Sequence, residues 1–206
     1  MIITYEVGGG LYLNITNRCS NDCDFCVRKN HDMVGANVNP AGESNLWLER
    51  EPALDEILAA LAKLNLSHYG EIVFCGFGEP TERLDVLLSV ARFIRENNPA
   101  QRIRVNTNGH ASLIAGHDVT PLFAGLIDIC SVSLNYPNAA DYTLHCRPRF
   151  GEAAWEGLLA FASRAKAYVP EVVLTVVDIL PPEDIALCRR VAEQNGLPLR
   201  VRELIK

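Results

Sequence analysis

Three cysteines near the start of the chain have the spacing that most directly indicates chemistry. Cys19, Cys23 and Cys26 follow one another in C-x3-C-x2-C order. Packing alone does not require cysteines at fixed intervals, so the spacing predicts thiolate ligands of a metal. Two kinds of site fit it: a zinc ion completed by a fourth ligand such as His31, or an iron-sulfur cluster held by three thiolates with one iron left open.

The predicted strands and helices that must position these three cysteines alternate along the chain. Helices are predicted between the strands, at residues 52–65, in the segment closed by Asn97, Asn98 and Pro99, and at 119–125, 138–146, 155–165 and 183–195. Such alternation implies a parallel sheet with right-handed crossovers. Six strand-helix units are too few for a closed barrel of eight strands and about 250 residues. We therefore expect an α/β fold, an open partial (β/α)6 barrel with parallel strands, as one domain over residues 1–206. The predicted strands are residues 11–15, 71–75, 102–106, 128–135, 171–179 and 199–204.

Polar and small residues follow the predicted strands, at the edge that forms the active face of a barrel of this kind. The cysteines follow the first strand, residues 76–80 (GFGEP) the second and residues 106–109 (NTNG) the third. Ser133 and Asn135 lie at the end of the fourth strand and share one face by strand alternation. Small residues allow backbone groups to approach a ligand closely, although a tight turn or a turn cap also explains these segments.

The cysteine loop resembles the signature loop of the radical S-adenosylmethionine (SAM) enzymes, because Phe25 precedes the last cysteine in C-x3-C-x-aromatic-C order. The resemblance implies a 4Fe-4S cluster on Cys19, Cys23 and Cys26, whose open iron binds the amino and carboxylate groups of SAM. It also implies reductive cleavage of SAM to a 5'-deoxyadenosyl radical. The cofactors carry that chemistry, and the protein orients them.

Further segments resemble SAM-binding motifs of the same family. Residues 76–80 are similar to the Gly-Gly-Glu motif with Phe77 in place of one glycine, which implies backbone contacts to the SAM amino group and a turn held by Glu79. Residues 106–109 are similar to a segment of the activating-enzyme branch. Arg147 is a candidate for the SAM carboxylate or for an anionic substrate, because guanidinium binds carboxylate bidentately. The implied SAM contacts are Phe25, Gly76, Phe77, Gly78, Glu79, Asn106, Asn108, Ser133, Asn135 and Arg147.

Three segments also resemble the TatD-associated radical SAM proteins, a group named for its genomic neighbourhood. They are residues 45–52, 74–80 and 146–148. The resemblance implies the cofactors but no substrate, and it suggests a functional link to a TatD-family hydrolase.

The sequence therefore leaves three candidate functions. The first is a radical SAM enzyme that abstracts hydrogen from an unidentified substrate, with an external flavodoxin- or ferredoxin-like reductant because the chain shows no second cluster motif. The open barrel suggests that a large substrate or partner covers its lateral opening. The alternatives are a zinc-stabilised binding or adaptor module for a TatD-like hydrolase, and an activating enzyme that forms a glycyl radical on a partner protein.

Composition narrows the class of protein. The net charge of −6 argues against nucleic acid as a partner. The sequence contains neither a signal-peptide pattern nor a long apolar run, so we expect no membrane partner and a cytoplasmic location. Seven cysteines, of which three lie in one loop, argue against a disulfide framework.

The remaining cysteines and the histidines are interpreted as structural. Cys75, Cys130 and Cys188 fall within strand or helix patterns and are predicted to be small core residues. Residues 30–46 are predicted to form an ordered loop or a lid. Four histidines are interpreted as loop or surface residues, namely His31, His110, His117 and His145.

Overall fold

The computed structural model describes residues 1–30 and 45–203, and these form one seven-stranded sheet with helices on one side. The strands are β1 (Thr4–Val7), β2 (Gly10–Leu13), β3 (Ile72–Phe74), β4 (Ile103–Thr107), β5 (Ile129–Ser133), β6 (Glu171–Val177) and β7 (Leu199–Arg202). The α-helices are α1 (Val27–Asn30), α2 (Leu54–Leu61), α3 (Leu84–Asn97), α4 (Ala111–Ala115), α5 (Ala139–Cys146), α6 (Ala153–Ala165) and α7 (Pro182–Gln194). Short 3-10 helices occupy Leu66–His68, Pro80–Arg83 and Thr120–Phe123.

The strands lie in the sheet in chain order, and β2 to β7 are all parallel to their neighbours. This confirms the predicted α/β fold with an open parallel sheet. Tyr12 on β2 and Arg202 on β7 interact electrostatically although four strands separate them in the sheet order. The sheet therefore curves, and its concave face encloses an interior.

The strand β1 is an addition to the six predicted strands. It pairs antiparallel with β2 through a hairpin in which Val7 lies opposite Gly10. Gly8 and Gly9 form the turn with φ of 55° and 82°, a left-handed conformation that glycine adopts without strain. Tyr5 of β1 is buried, so the strand closes one edge of the concave face.

Side-chain alternation gives the two faces of the sheet different characters. The face that packs against the helices is largely apolar, and its apolar strand residues belong to the main hydrophobic core. Alternate residues such as Tyr12, Arg104, Asn106 and Arg202 point to the concave side. The apolar set includes Leu11, Leu13, Ile72, Phe74, Ile103, Val105, Val132, Leu174 and Val176.

Helix boundaries agree with the predictions where the apolar period is regular. Residues 183–195 were predicted to be helical, and α7 spans Pro182–Gln194. The segment predicted at 119–125 is a single 3-10 turn, Thr120–Phe123, and α4 was not predicted because it has only five residues. None of the described helices has the length and apolar character that crossing a bilayer requires. Most of the predicted loop at 30–46, including His31, lies outside the described residues.

Candidate functional site

The cysteine loop runs from the end of β2 to the start of α1 and is held by the turn that follows α5. The amide of Asp22 donates to the carbonyl of Cys146 at 2.9 Å, and the amide of Asp24 donates to that of His145 at 3.0 Å. The Arg149 amide donates to the Ser20 carbonyl at 2.8 Å. These backbone contacts determine where the three thiols lie.

Cys19, Cys23 and Cys26 are half-buried and line one pocket of about 230 Å³. The pocket lies at the carboxyl ends of the parallel strands, on the concave side of the sheet. It brings together nine of the ten residues predicted to contact SAM, from four separate strand ends, together with the three cysteines. Its lining residues are Cys19, Asn21, Cys23, Phe25, Cys26, Val27, Cys75, Gly76, Phe77, Gly78, Glu79, Asn106, Thr107, Asn108, Ser133, Asn135, Val177, Arg202 and Glu203.

Arg147 is the predicted contact that does not line this pocket. It ends α5 in a left-handed conformation with φ of 43°, and its Nε donates to the carbonyl of Asp22 at 2.9 Å. The guanidinium also lies 3.5 Å from the Asp22 carboxylate. In this arrangement Arg147 braces the cysteine loop from outside, and its role toward SAM stays a prediction.

The three thiols are protonated in the metal-free protein, because the pKa of each is raised. Burial raises the pKa of Cys19 to about 12 and also raises that of Cys26. A hydrogen bond with the Cys146 thiol and burial raise the pKa of Cys23. Arg28 lowers all three pKa values without cancelling these effects. A metal that binds here must therefore displace protons from the thiols.

The glycines of residues 76–80 permit close packing against the segment that leads into the cysteine loop. A Cβ on Gly78 would lie 2.2 Å from the Thr16 carbonyl oxygen and 2.7 Å from that of Arg18. A Cβ on Gly76 would lie 2.1 Å from Oδ1 of Asn14. These small residues were predicted to let the backbone approach a ligand. The structure shows that they also let it approach the segment before Cys19.

The side chain of Phe77 packs away from this close contact. It is 4% exposed and lies edge-on to Trp47, with ring centroids 5.5 Å apart. It shares a small hydrophobic cluster with Ile2, Tyr5 and Leu46. A large residue is therefore accommodated where the similar motif has glycine.

Glu79 joins the turn after β3 to the end of β4. Its carboxylate accepts from the Asn108 amide at 2.6 Å, the Thr107 hydroxyl at 2.7 Å, and the Thr81 hydroxyl and amide at 2.7 and 3.1 Å. Burial raises the pKa of Glu79, while these hydrogen bonds oppose the shift. Glu79 thus links the two turns, and both of its carboxylate oxygens accept hydrogen bonds from the protein.

A buried polar network extends from Asn108 beneath the cysteine loop. Its Nδ2 donates to the Ser20 hydroxyl at 2.8 Å, and that hydroxyl lies 3.1 Å from Nδ1 of His110. Nε2 of His110 lies 3.2 Å from the Tyr142 hydroxyl, which accepts from Asn21 at 2.8 Å. His110 lies in the loop between β4 and α4, as predicted, but it is fully buried and not on the surface. Burial lowers the pKa of His110 to about 4, so it is neutral near pH 7.

Two pocket residues carry buried oxygens that have no protein donor. Within the described chain, Oδ1 of Asn106 and Oδ1 of Asn135 have no hydrogen-bond partner. Asn135 has a left-handed backbone with φ of 59°, and its Nδ2 donates to Sγ of Cys146 at 3.7 Å. Buried acceptors of this kind are normally satisfied, so both oxygens suit N–H or O–H donors of a bound molecule.

Three other cysteines were predicted to be core residues. Cys130 and Cys188 are buried in the core, as predicted. Cys75 is half-buried and lines the pocket, so its prediction as a core residue is wrong. It directly follows β3, and its side chain lies on the concave face, which the strand pattern alone did not reveal. Sequence reasoning also missed Val177, Arg202 and Glu203 as lining residues.

The sequence of residues 13–192 matches the Radical SAM superfamily. This match covers most of the chain, which therefore belongs to that superfamily. No curated protein matches the chain in sequence.

Solved structures with the same fold include proteins that are named as enzymes. Methylornithine synthase (PylB) has a TM-score of 0.61 at 15% identity, with 95% of this chain and 53% of that one covered. Streptococcus suis SuiB bound to S-adenosylmethionine has a TM-score of 0.61 at 13% identity, with 95% and 40% covered. A radical SAM methyltransferase from Sphaerobacter thermophilus has a TM-score of 0.55 at 16% identity, with 97% and 68% covered. The chain thus spans about half or less of the first two proteins, and these identities show a shared fold only.

Proposed function

We propose that this chain is a radical SAM enzyme in which Cys19, Cys23 and Cys26 hold a 4Fe-4S cluster. The observation that carries the proposal is the pocket itself. One cavity collects three thiols from one loop and the small and polar residues that end β3, β4 and β5. Membership of the superfamily supports the same assignment.

The donor set of the pocket suits both cofactors. Thiolates are the usual ligands of iron-sulfur clusters. Among residues 1–30 and 45–203, no three Cys, His, Asp or Glu side chains converge closely enough for one metal ion. This arrangement favours a cluster, whose thiolates bind separate irons, over a single zinc with each sulfur about 2.3 Å away.

The polar side chains near the cysteines suit SAM. The unpartnered oxygens of Asn106 and Asn135 would accept from ammonium or hydroxyl donors, and Ser133 lies beside them in the lining. The backbone of Gly76, Phe77 and Gly78 offers further polar groups.

When bound, the reduced cluster and SAM together supply a 5'-deoxyadenosyl radical that abstracts hydrogen from a substrate. The protein's own residues bind the cofactors, orient them and enclose the pocket. Glu79 holds the two motif turns together, and Asn108 fixes Ser20 within the cysteine loop. Asn108 also approaches Sγ of Cys19 at 3.9 Å, where its N–H would donate to a thiolate ligand. Phe25 packs against Tyr136 beside the cysteine loop, with ring centroids 6.1 Å apart.

We also propose that the chain is a TatD-associated radical SAM protein that acts in the cytoplasm with an external flavodoxin- or ferredoxin-like reductant. The resemblance of residues 45–52, 74–80 and 146–148 supports that group. A reducing compartment suits a cluster held by cysteine thiolates. The substrate is not identified by these features.

Anaerobic purification with iron and sulfide tests the proposal. The reconstituted protein is expected to be brown, to absorb near about 400 nm and to hold about four irons and four sulfides per chain. With dithionite and SAM it is expected to form 5'-deoxyadenosine.

Cys23→Ala should abolish this product and lower the iron content, because it removes one of three protein ligands. Cys188→Ala is the matched control, since Cys188 is a buried thiol of α7 remote from the pocket. A colourless protein with one zinc per chain would contradict the proposal and favour the zinc-stabilised adaptor. A radical formed only on a glycine of a partner protein would instead identify an activating enzyme.

A further inference from the structure

The concave side of the sheet carries four arginines, and three of them have carboxylate partners. Arg104 lies 2.7 Å from Glu71, and Arg102 and Arg200 lie 2.9 and 3.6 Å from Glu171. These pairs sit toward the amino ends of the strands, around a second cavity of about 400 Å³. Each of these three guanidiniums has a carboxylate partner within the protein, and Arg102 and Arg200 share Glu171.

Arg202 is the fourth arginine and lies in the pocket that holds the cysteines. Its Nε is buried without a hydrogen-bond partner among the described residues. Over the same part of the chain, no carboxylate lies within ion-pair distance of its guanidinium. Glu203 also lines the pocket, but its side chain is exposed and makes no such pair.

A guanidinium that is partly removed from water without a counter-charge is energetically unfavourable. Burial lowers the pKa of Arg202, and the nearby charge of Arg104 lowers it further. Arginine nonetheless stays protonated in proteins. The pocket therefore contains one positive charge that a bound anion would neutralise.

The position of Arg202 separates it from the cysteine loop. Arg28 is the arginine that lowers the pKa of all three ligand thiols, and it donates to the carbonyls of Asn17 and Asn21. Arg202 instead lies on β7, opposite Val177 of β6, whereas the cysteine loop follows β2, and four strands separate β2 from β7 in the sheet order. Arg202 thus faces the part of the pocket away from the loop, beside the apolar side chain of Val177.

We propose that Arg202 binds a carboxylate of the substrate, which enters the barrel interior with an apolar portion against Val177. This inference rests on the proposed function, because it assigns the other end of the same pocket to SAM. A guanidinium pairs with a carboxylate through two parallel hydrogen bonds. One uncompensated positive charge matches a singly charged carboxylate better than a dianionic phosphate.

The test uses cluster-loaded protein with SAM and three probes: hexanoate, its neutral analogue hexanamide, and inorganic phosphate. Saturation-transfer NMR measures the affinity of each probe. Hexanoate is expected to bind wild-type protein about tenfold more tightly than hexanamide, since a charge-assisted pair contributes about that factor. Equal binding of hexanoate and hexanamide, or tighter binding of phosphate, would overturn the assignment.

Arg202→Gln is expected to lower hexanoate affinity about tenfold, to the level of hexanamide. Arg200→Gln is the matched control, because it lies on the same strand but is paired with Glu171; it should leave the affinity unchanged. Arg202→Gln should also unfold at no lower urea concentration than wild type, since it removes a partly buried charge that has no carboxylate partner among the described residues. Unchanged hexanoate affinity in this variant contradicts the proposal.

The formation of 5'-deoxyadenosine in the absence of substrate distinguishes a substrate-binding role of Arg202 from a SAM-binding role. Arg202→Gln should retain SAM binding and this slow cleavage, whereas a loss of SAM binding would assign Arg202 to the cofactor and refute a substrate role. If wild-type protein forms no 5'-deoxyadenosine, the proposed function fails, while the hexanoate comparison still decides whether Arg202 binds a carboxylate.

Discussion

Replacing Gly78 with alanine tests how the motif after β3 positions the cysteine loop. The added Cβ would lie 2.2 Å from the Thr16 carbonyl oxygen and 2.7 Å from that of Arg18. Both neighbours are backbone atoms, so no flexible side chain can move aside. Relief requires the segment before Cys19 to shift by about 1 Å, the difference from an ordinary contact distance.

The expected loss of stability has two parts. Overpacking of this kind destabilises by about 1–3 kcal/mol. The shift also strains the hydrogen bond from the Glu79 amide to the Arg18 carbonyl, now 2.8 Å, which contributes about 1 kcal/mol. We therefore expect Gly78→Ala to lower the free energy of unfolding by about 2–4 kcal/mol.

Urea unfolding followed by circular dichroism measures this change, and iron analysis after reconstitution measures its effect on the loop. Iron content should fall together with stability, since Arg18 directly precedes Cys19. Gly70→Ala is the control, because the nearest atom to its added Cβ is 4.0 Å away. A stability for Gly78→Ala within about 0.5 kcal/mol of wild type, the range of neutral surface changes, would refute the reasoning.

Two further predictions concern the network beneath the cysteine loop. Tyr142→Phe should lower the free energy of unfolding by about 1–3 kcal/mol, because the Asn21 donor is left unsatisfied in a buried site; an unchanged urea midpoint would contradict this. The pKa of His110 is about 4 against an ordinary 6.5, so below pH 6.5 the unfolded chain takes up a proton that the folded protein excludes. Stability should therefore fall by about 2 kcal/mol between pH 7.5 and 5.0 through this group. His110→Gln should remove that part of the pH dependence, whereas replacement of the exposed His117 should not, and parallel pH curves for wild type and His110→Gln would disprove the assignment.

The fold class was predictable because it depends on a pattern repeated along the chain. Each strand-helix unit shows its own apolar period, and the number of units excluded a closed barrel. The strand β1 was not predicted, although the adjacent glycines Gly8 and Gly9, which form its hairpin turn, are visible in the sequence. Its four residues are too few to show a clear period of their own.

The cysteine loop was recognisable for a related reason. Its chemistry depends on residues that are close in sequence, so the cysteine spacing together with Phe25 carried the resemblance to the radical SAM enzymes. The sequence match confirms that superfamily. The residues that hold the loop in place were not recognisable. His110 contacts Ser20 and Tyr142 across 90 and 32 positions in the chain, and its neighbours in sequence resemble those of any loop histidine.

The sequence by itself determined the alternating architecture and the grouped thiols, because both arise from local spacing. Only the tertiary structure decided which side chains face the pocket. Strand curvature brings Arg202 from the last strand into the same cavity as Cys75, and the left-handed turn after α5 directs Arg147 onto Asp22 outside it. Side-chain directions of this kind depend on how strands and turns that are distant in sequence pack together. No periodicity in the sequence encodes that packing.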